Sequence, residues 1–97
     1  MLRHVVMFNF KVEVGQRERD EFAKRAAETL ARVPGTKNII IGQASEAEGK
    51  ARYGAALFID FDNEAAWKNY LVHPMHKAAE AQMSSMLSEF LMSNYLY

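Results

Sequence analysis

The hydrophobic period of this chain changes along its length, and the order of those changes constrains the fold more than any other feature. Residues 2–10 alternate, which is typical of a strand. One face of that strand would carry Leu2, His4, Val6, Phe8 and Phe10. From Gln16 to Val33 the period is helical, and a proline and a glycine then end the helix. The apolar stripe of this helix consists of Phe22, Ala26, Leu30 and Val33.

Three further segments predict strands. Asn38 to Ala44 and Tyr53 to Phe61 are rich in β-branched and aromatic residues and lie on either side of a polar stretch. They predict two strands joined by a loop. The apolar segment Met92 to Leu96 predicts the last strand.

A broken helix is predicted between the third and fourth strands. Asp62 or Asn63 would cap its first part, Ala65 to Val72, by accepting hydrogen bonds from free backbone amides. Pro74 lacks a backbone donor, so it would end the first part and begin the second. The stripe of the second part consists of His76, Ala79, Met83, Met86, Leu87 and Phe90.

The order of strand, helix, two strands, broken helix and strand predicts an α+β fold of ferredoxin-like type. In that fold a four-stranded antiparallel sheet has its helices on one face. A chain of 97 residues has room for one such domain, covering residues 1–97. The other face of the sheet would be bare and partly apolar, so we expect two copies to pair sheet to sheet as a homodimer.

Charge and composition exclude several classes of protein. Twelve basic and twelve acidic side chains cancel, so no field would attract nucleic acid. No apolar stretch reaches the roughly 20 residues of a membrane span, and the first strand is too interrupted by polar residues to be a signal peptide. The chain has no cysteine, which is compatible with a reducing compartment. We therefore expect a cytoplasmic protein that binds neither nucleic acid nor membrane.

Histidine is the side chain whose ordinary pKa, about 6.5, suits proton transfer near neutral pH. The chain has His4 in the first strand and two more in the tetrapeptide His73-Pro74-Met75-His76. In a ferredoxin-like sheet the third strand ends beside the start of the first. His4 and His76 should therefore face the same layer, whereas His73 is expected to interact with the end of the preceding helix. Tyr70 could reach one of these imidazoles across the helix break.

Other readings of these residues stay open. Each histidine could be structural, and Tyr70 could simply pack its ring. A metal site built from all three histidines is disfavoured, because no carboxylate is fixed as a fourth ligand. The chain has no glycine-rich phosphate loop and no serine nucleophile motif, which argues against nucleotide-dependent chemistry and acyl-enzyme mechanisms. We expect no metal and no cofactor.

Two segments resemble the stress-responsive α/β-barrel (Dabb) family. They are the opening Met1 to Lys11, and Phe61 to Glu64 continuing through Tyr70-Leu71-Val72-His73-Pro74-Met75-His76. The resemblance implies a ferredoxin-like protomer whose sheets pair into a dimeric α/β barrel. The family includes plant stress proteins and a polyketide cyclase. In that cyclase the positions of His4 and His76 are implicated in an aldol-type ring closure, with a tyrosine at the position of Tyr70.

We therefore expect a protein that binds a small hydrophobic or aromatic molecule between sheet and helices. If it is an enzyme, His76 would be the general base, and His4 and Tyr70 would position the substrate or stabilise an enolate oxygen. A cofactor-less aromatic monooxygenase and a non-catalytic structural or assembly module are the alternatives. The resemblance implies that the first helix lines the pocket, although Ala23 and Ala26 stand where the cyclase has larger rings. The expected lining residues are Val6, Phe8, Phe22, Ala26 and Met83.

Overall fold

The computed structural model describes residues 1–97 and contains four strands and three helices. Their order is that predicted from the hydrophobic periods. The bounds are β1 Leu2–Phe10, α1 Gln16–Leu30, β2 Lys37–Gln43, β3 Ala55–Phe61, α2 Glu64–Val72, α3 Pro74–Met86 and β4 Leu87–Leu96. None of the helices combines the length and apolar character needed to span a membrane.

The strands form one antiparallel sheet in the order β2-β3-β1-β4. This confirms the predicted ferredoxin-like α+β fold. Leu2 at the start of β1 pairs with Phe61 at the end of β3, and His4 pairs with Ile59. Since α2 follows β3 directly, the start of β1 and the start of the helical region lie at the same edge, as the sequence predicted.

The core lies between one face of the sheet and the helices. The β1 residues Leu2, Val6 and Phe8 are buried on that face, and Phe22 and Leu30 of α1 pack against it. The predicted stripe of α1 is confirmed, although the helix ends at Leu30 and not at Val33. The chain then turns through Gly35, whose φ of 91° is strained for other residues.

The break between α2 and α3 is held by side chains that cap the helices. The Asn63 side chain accepts a hydrogen bond from the Ala66 amide at the start of α2. At the break, His73 Nδ1 accepts a bond of 3.1 Å from the Met75 amide. His73 is therefore a helix-end residue as predicted, but its side chain caps the following helix and not the preceding one.

The boundary between α3 and β4 differs from the prediction. The helix ends at Met86, and Leu87 and Phe90 belong to β4, which runs to Leu96. Leu87 lies four residues after Met83 and so fits a helical stripe by spacing alone. The pairing of the backbone with β1 decides the boundary: Leu87 pairs with Phe10, and after a shift of register at Ser88 the pairing runs from Glu89 to Leu96.

The second face of the sheet has no helix over it. Arg3, Val5 and Met7 on this face are only partly buried, and Arg3 forms a bidentate ion pair with the buried Asp60. Edge strand β4 extends beyond the helices, so it exposes apolar side chains on both of its faces. The large exposed apolar residues of β4 and the C-terminus are Phe90, Leu91, Met92, Tyr95, Leu96 and Tyr97.

Candidate functional site

A cavity of about 190 Å³ lies between β1 and β4 of the sheet and the helices α2 and α3. The walls are largely apolar, and the polar groups come from five side chains. The cavity is lined by His4, Val6, Leu57, Tyr70, His76, Glu80, Met83, Ser84, Leu87, Phe90 and Met92. Phe90 and Met92 of β4 are each 55% exposed, and Glu80 and Ser84 of α3 are exposed as well, so the cavity opens to solvent between β4 and α3.

His4 enters the cavity from β1 because the strand alternation places it on the helix side. Its Nδ1 lies 2.7 Å from Oδ1 of Asn94, which is the residue paired with it on β4. An amide oxygen only accepts hydrogen bonds, so His4 Nδ1 carries the proton and Nε2 keeps its lone pair. Burial lowers the pKa of His4, the bond to Asn94 opposes that shift, and the nearby His76 lowers the pKa further. The ring is therefore neutral at pH 7.

His76 is in the first turn of α3, and the helix break supplies its hydrogen-bond partner. In a continuous helix the Leu71 carbonyl would accept from the amide of Met75. That amide bonds to His73 instead, and His76 Nδ1 donates to the Leu71 carbonyl at 3.0 Å. The other nitrogen, Nε2, lies 4.0 Å from Oε2 of Glu80. His76 therefore also presents Nε2 as its unused ring nitrogen.

Tyr70 lies between the two imidazoles. Its ring centroid is 4.3 Å from that of His76 and 6.0 Å from that of His4. The side chain is buried, and burial raises the pKa of the Tyr70 phenol well above its ordinary value, with the charge of Glu80 adding to the shift. The phenol therefore keeps its proton at neutral pH and can donate a hydrogen bond.

The structure brings His4, Tyr70 and His76 together, with Val6 and Met83 beside them. The other residues that were expected to line the pocket do not reach this cavity. Phe8, Phe22 and Ala26 are buried in the core between α1 and the sheet, where the Phe8 and Phe22 rings lie 6.4 Å apart. Phe8 is four residues beyond His4 on β1, which is about 13 Å along the strand. Phe22 and Ala26 belong to α1, and no residue of α1 lines the cavity.

Sequence reasoning missed Asn94 and the polar side chains of α3 that face the cavity. Glu80 and Ser84 follow His76 at intervals of four residues, so helical spacing was a usable signal for them. Asn94 gave no such signal, since its contact with His4 depends on the pairing register of β1 and β4. No three histidine, aspartate or glutamate side chains form a metal-ligating group, and His73 is occupied as a cap.

A larger and more open groove of about 460 Å³ lies at the opposite end of the helix layer. It is formed by α1, by Phe8 and Phe10 of β1, by the end of β2 with the segment that follows it, and by the start of β3. The Arg19 guanidinium lies 5.2 Å from the centre of the Phe10 ring and also donates to the Val14 carbonyl, so it is already engaged. The smaller cavity is the better candidate site, because it holds the two imidazoles and the phenol.

Fold and cavity together define a ferredoxin-like protein that holds two imidazoles and a phenol between its sheet and helices. The Stress Responsive A/B Barrel Domain family matches residues 2–96, and the chain belongs to that family. The family resemblance of the two sequence segments is thus confirmed over nearly the whole chain.

Proteins of known name or structure are similar to this chain, among them the following four. Olivetolic acid cyclase from Cannabis sativa is 21% identical over 95 residues, which cover 97% of this chain and 94% of the cyclase. A Dabb family protein from Mesorhizobium loti is 24% identical with a TM-score of 0.87, covering 99% and 95% of the two chains. Hydroxynitrile lyase from Passiflora edulis is 18% identical with a TM-score of 0.89, covering 99% and 92%. A dimeric ferredoxin-like protein of unknown function from Thermobifida fusca is 25% identical with a TM-score of 0.84, covering 99% and 90%.

Proposed function

We propose that the protein binds a small hydrophobic or aromatic molecule in the cavity between β1, β4, α2 and α3. The observation that carries the proposal is the pair of imidazoles whose Nδ1 atoms are both engaged, at Asn94 and Leu71, inside apolar walls. Perturbed ionisable groups in a largely apolar cavity are typical of ligand and catalytic sites.

We further propose that His76 acts as a general base on the bound molecule. A base needs a free lone pair, and in the neutral form of His76 that lone pair is on Nε2, because Nδ1 donates to the Leu71 carbonyl. In proton abstraction next to a carbonyl, Nε2 would take the proton from carbon and the carbonyl oxygen would become negative. The Tyr70 hydroxyl would then donate a hydrogen bond to that oxygen and stabilise it, whereas His4, whose free Nε2 only accepts, would help to orient the substrate. This chemistry needs only side chains of the cavity.

The similar proteins support a reaction on a small organic molecule. One is named as an olivetolic acid cyclase and another as a hydroxynitrile lyase. A purely structural role of the histidines is the competing function, and it predicts that ligands have no preference for this cavity.

Filling the cavity tests the binding proposal. Met83→Trp places an indole in the space, so the affinity for a single-ring probe such as 4-methylacetophenone should fall at least tenfold, as measured by NMR titration. Met86→Trp is the matched control, because Met86 is on the same helix but does not line the cavity. Equal affinities of the two variants, or no binding by the unmodified protein, would contradict the proposal.

The assembly proposed with this function is a homodimer that pairs the open faces of two sheets. It is supported by the exposed apolar side chains Leu91, Tyr95 and Tyr97 on that side of β4, and by the dimeric protein from Thermobifida fusca. Two such sheets would form the dimeric barrel.

A further inference from the structure

The cavity offers more free hydrogen-bond acceptors than free donors. His4 and His76 each use Nδ1–H within the protein, so Nε2 is the acceptor that the neutral form of each ring leaves. The Ser84 hydroxyl donates its proton to the Glu80 carbonyl at 3.0 Å and is left as an acceptor. Glu80 adds a carboxylate, which only accepts when ionised. Tyr70 supplies the one hydroxyl proton that the protein has not already used.

The lining of the cavity also includes an acidic side chain and no lysine or arginine. Glu80 lies at the mouth, where its side chain is 67% exposed. A ligand carboxylate would meet a like charge at the mouth and no cation inside. Burial also lowers the pKa of His4, so protonating this imidazole to compensate an anion is unfavourable.

The volume limits the ligand to about one ring. Pockets for drug-sized molecules measure about 300–1,000 Å³, whereas an apolar cavity of about 150 Å³ is enough for benzene. A cavity of about 190 Å³ therefore holds a single ring with a short substituent.

We propose that the cavity selects an uncharged, single-ring molecule that donates a hydroxyl proton, such as a phenol or an enol, and that Glu80 discriminates against carboxylates. The proposal rests on the proposed function, because it names the ligand class of the same site. The ring hydroxyl donates to an imidazole Nε2, while the ring itself packs between Val6, Met83 and the other apolar walls. An ether in place of the hydroxyl leaves the buried acceptors unpaired, and a carboxylate adds repulsion from Glu80.

Three probes of similar size separate the effect of the hydroxyl donor from the effect of the charge. 4-Methylphenol is neutral and has a donor, 4-methylanisole is neutral without a donor, and 4-methylbenzoate is an anion. At pH 7.5 we expect the phenol to bind about tenfold more tightly than the anisole, because a buried acceptor left without a partner costs about that much affinity. We expect at least about a tenfold preference for the phenol over the benzoate from charge repulsion.

Glu80→Gln removes the charge and nearly preserves the shape of the side chain. This variant should lower the ratio of benzoate to phenol dissociation constants severalfold, since the benzoate gains affinity. Glu28→Gln is the matched control, because Glu28 is an exposed acid on α1 that does not line the cavity. It should leave the ratio as it is in the unmodified protein.

The outcomes separate this proposal from the one it rests on. If the anisole or the benzoate binds as tightly as the phenol, or if Glu80→Gln leaves the ratio unchanged, the ligand class is wrong while the binding function stands. If none of the three probes binds in the cavity, as monitored by NMR shifts of Val6 and Met83, both proposals fail.

Discussion

His4 and Asn94 are separated by 90 residues in the chain, yet they face each other across β1 and β4, joined by a hydrogen bond of 2.7 Å. The bond holds the proton of the buried imidazole on Nδ1 and turns Nε2 toward the remaining space. The cavity's hydrogen-bonding character therefore depends on a residue that does not itself line it.

Removing the partner of His4 should destabilise the protein. Asn94→Leu leaves a buried imidazole N–H without an acceptor, which costs about 1–3 kcal/mol in the free energy of unfolding. Asn94→Asp keeps an acceptor oxygen and should also raise the pKa of His4, since the new charge favours the imidazolium. Urea unfolding and NMR titration measure the two effects. Ser93→Leu, on the opposite face of β4, serves as the control for adding leucine to this strand.

The stability of the protein should depend on pH through His4. In the folded state the pKa of His4 is below the ordinary value of 6.5. At a pH between the folded pKa and the ordinary pKa, the unfolded chain therefore binds more protons than the folded one. Stability is therefore fully present above about pH 6.5 and declines as the pH falls through the lower, folded pKa. His4→Gln should flatten this part of the curve in denaturation experiments from pH 7.5 to 5. An unchanged slope in the variant would assign the dependence to another group.

His76→Asn separates the proposed base from its structural hydrogen bond. The asparagine amide can still donate to the Leu71 carbonyl in place of Nδ1, but the variant has no Nε2 lone pair. We expect the protein-dependent exchange of the methyl-ketone protons of 4-methylacetophenone in D₂O to fall by about a hundredfold or more, because a positioned base contributes about 10²–10⁴ to a rate.

Thermal unfolding provides the second readout for His76→Asn. The midpoint should stay close to that of the unmodified protein, because the bond to Leu71 is preserved. A large loss of stability with unchanged exchange would instead support a structural role for this histidine.

Disrupting the open face of the sheet should give monomers. Leu91→Glu places a charge among the apolar residues of that face, where pairing two sheets would bury it without a partner. Sedimentation at micromolar concentration should show dimers for the unmodified protein and monomers for the variant. Val12→Glu, in the exposed turn after β1, is expected to remain dimeric. A monomeric unmodified protein would refute the paired-sheet assembly.

Much of the fold could be predicted from the sequence because local rules determine it. The alternation of β1 decides that His4 and Val6 share a face, and this face is the buried one because it is the more apolar. Pro74 removes a backbone donor, so the helix had to break beside His73 wherever it packed. The antiparallel pairing of β1 with β3 then follows from the order of elements, and it brings His4 near the start of α2.

The remaining features depend on contacts between distant segments. Helical spacing allowed Leu87 and Phe90 to be placed on α3, and only the ladder to β1 assigns them to β4. The sequence by itself determined the elements, their buried faces and the shared layer of His4 and His76, since these follow from periodicity and backbone chemistry. Only the tertiary structure decided the partner of His4, the charge at the cavity mouth and the absence of Phe22 from its wall. These depend on strand register and helix packing, which place side chains to within a few ångströms and have no local signature.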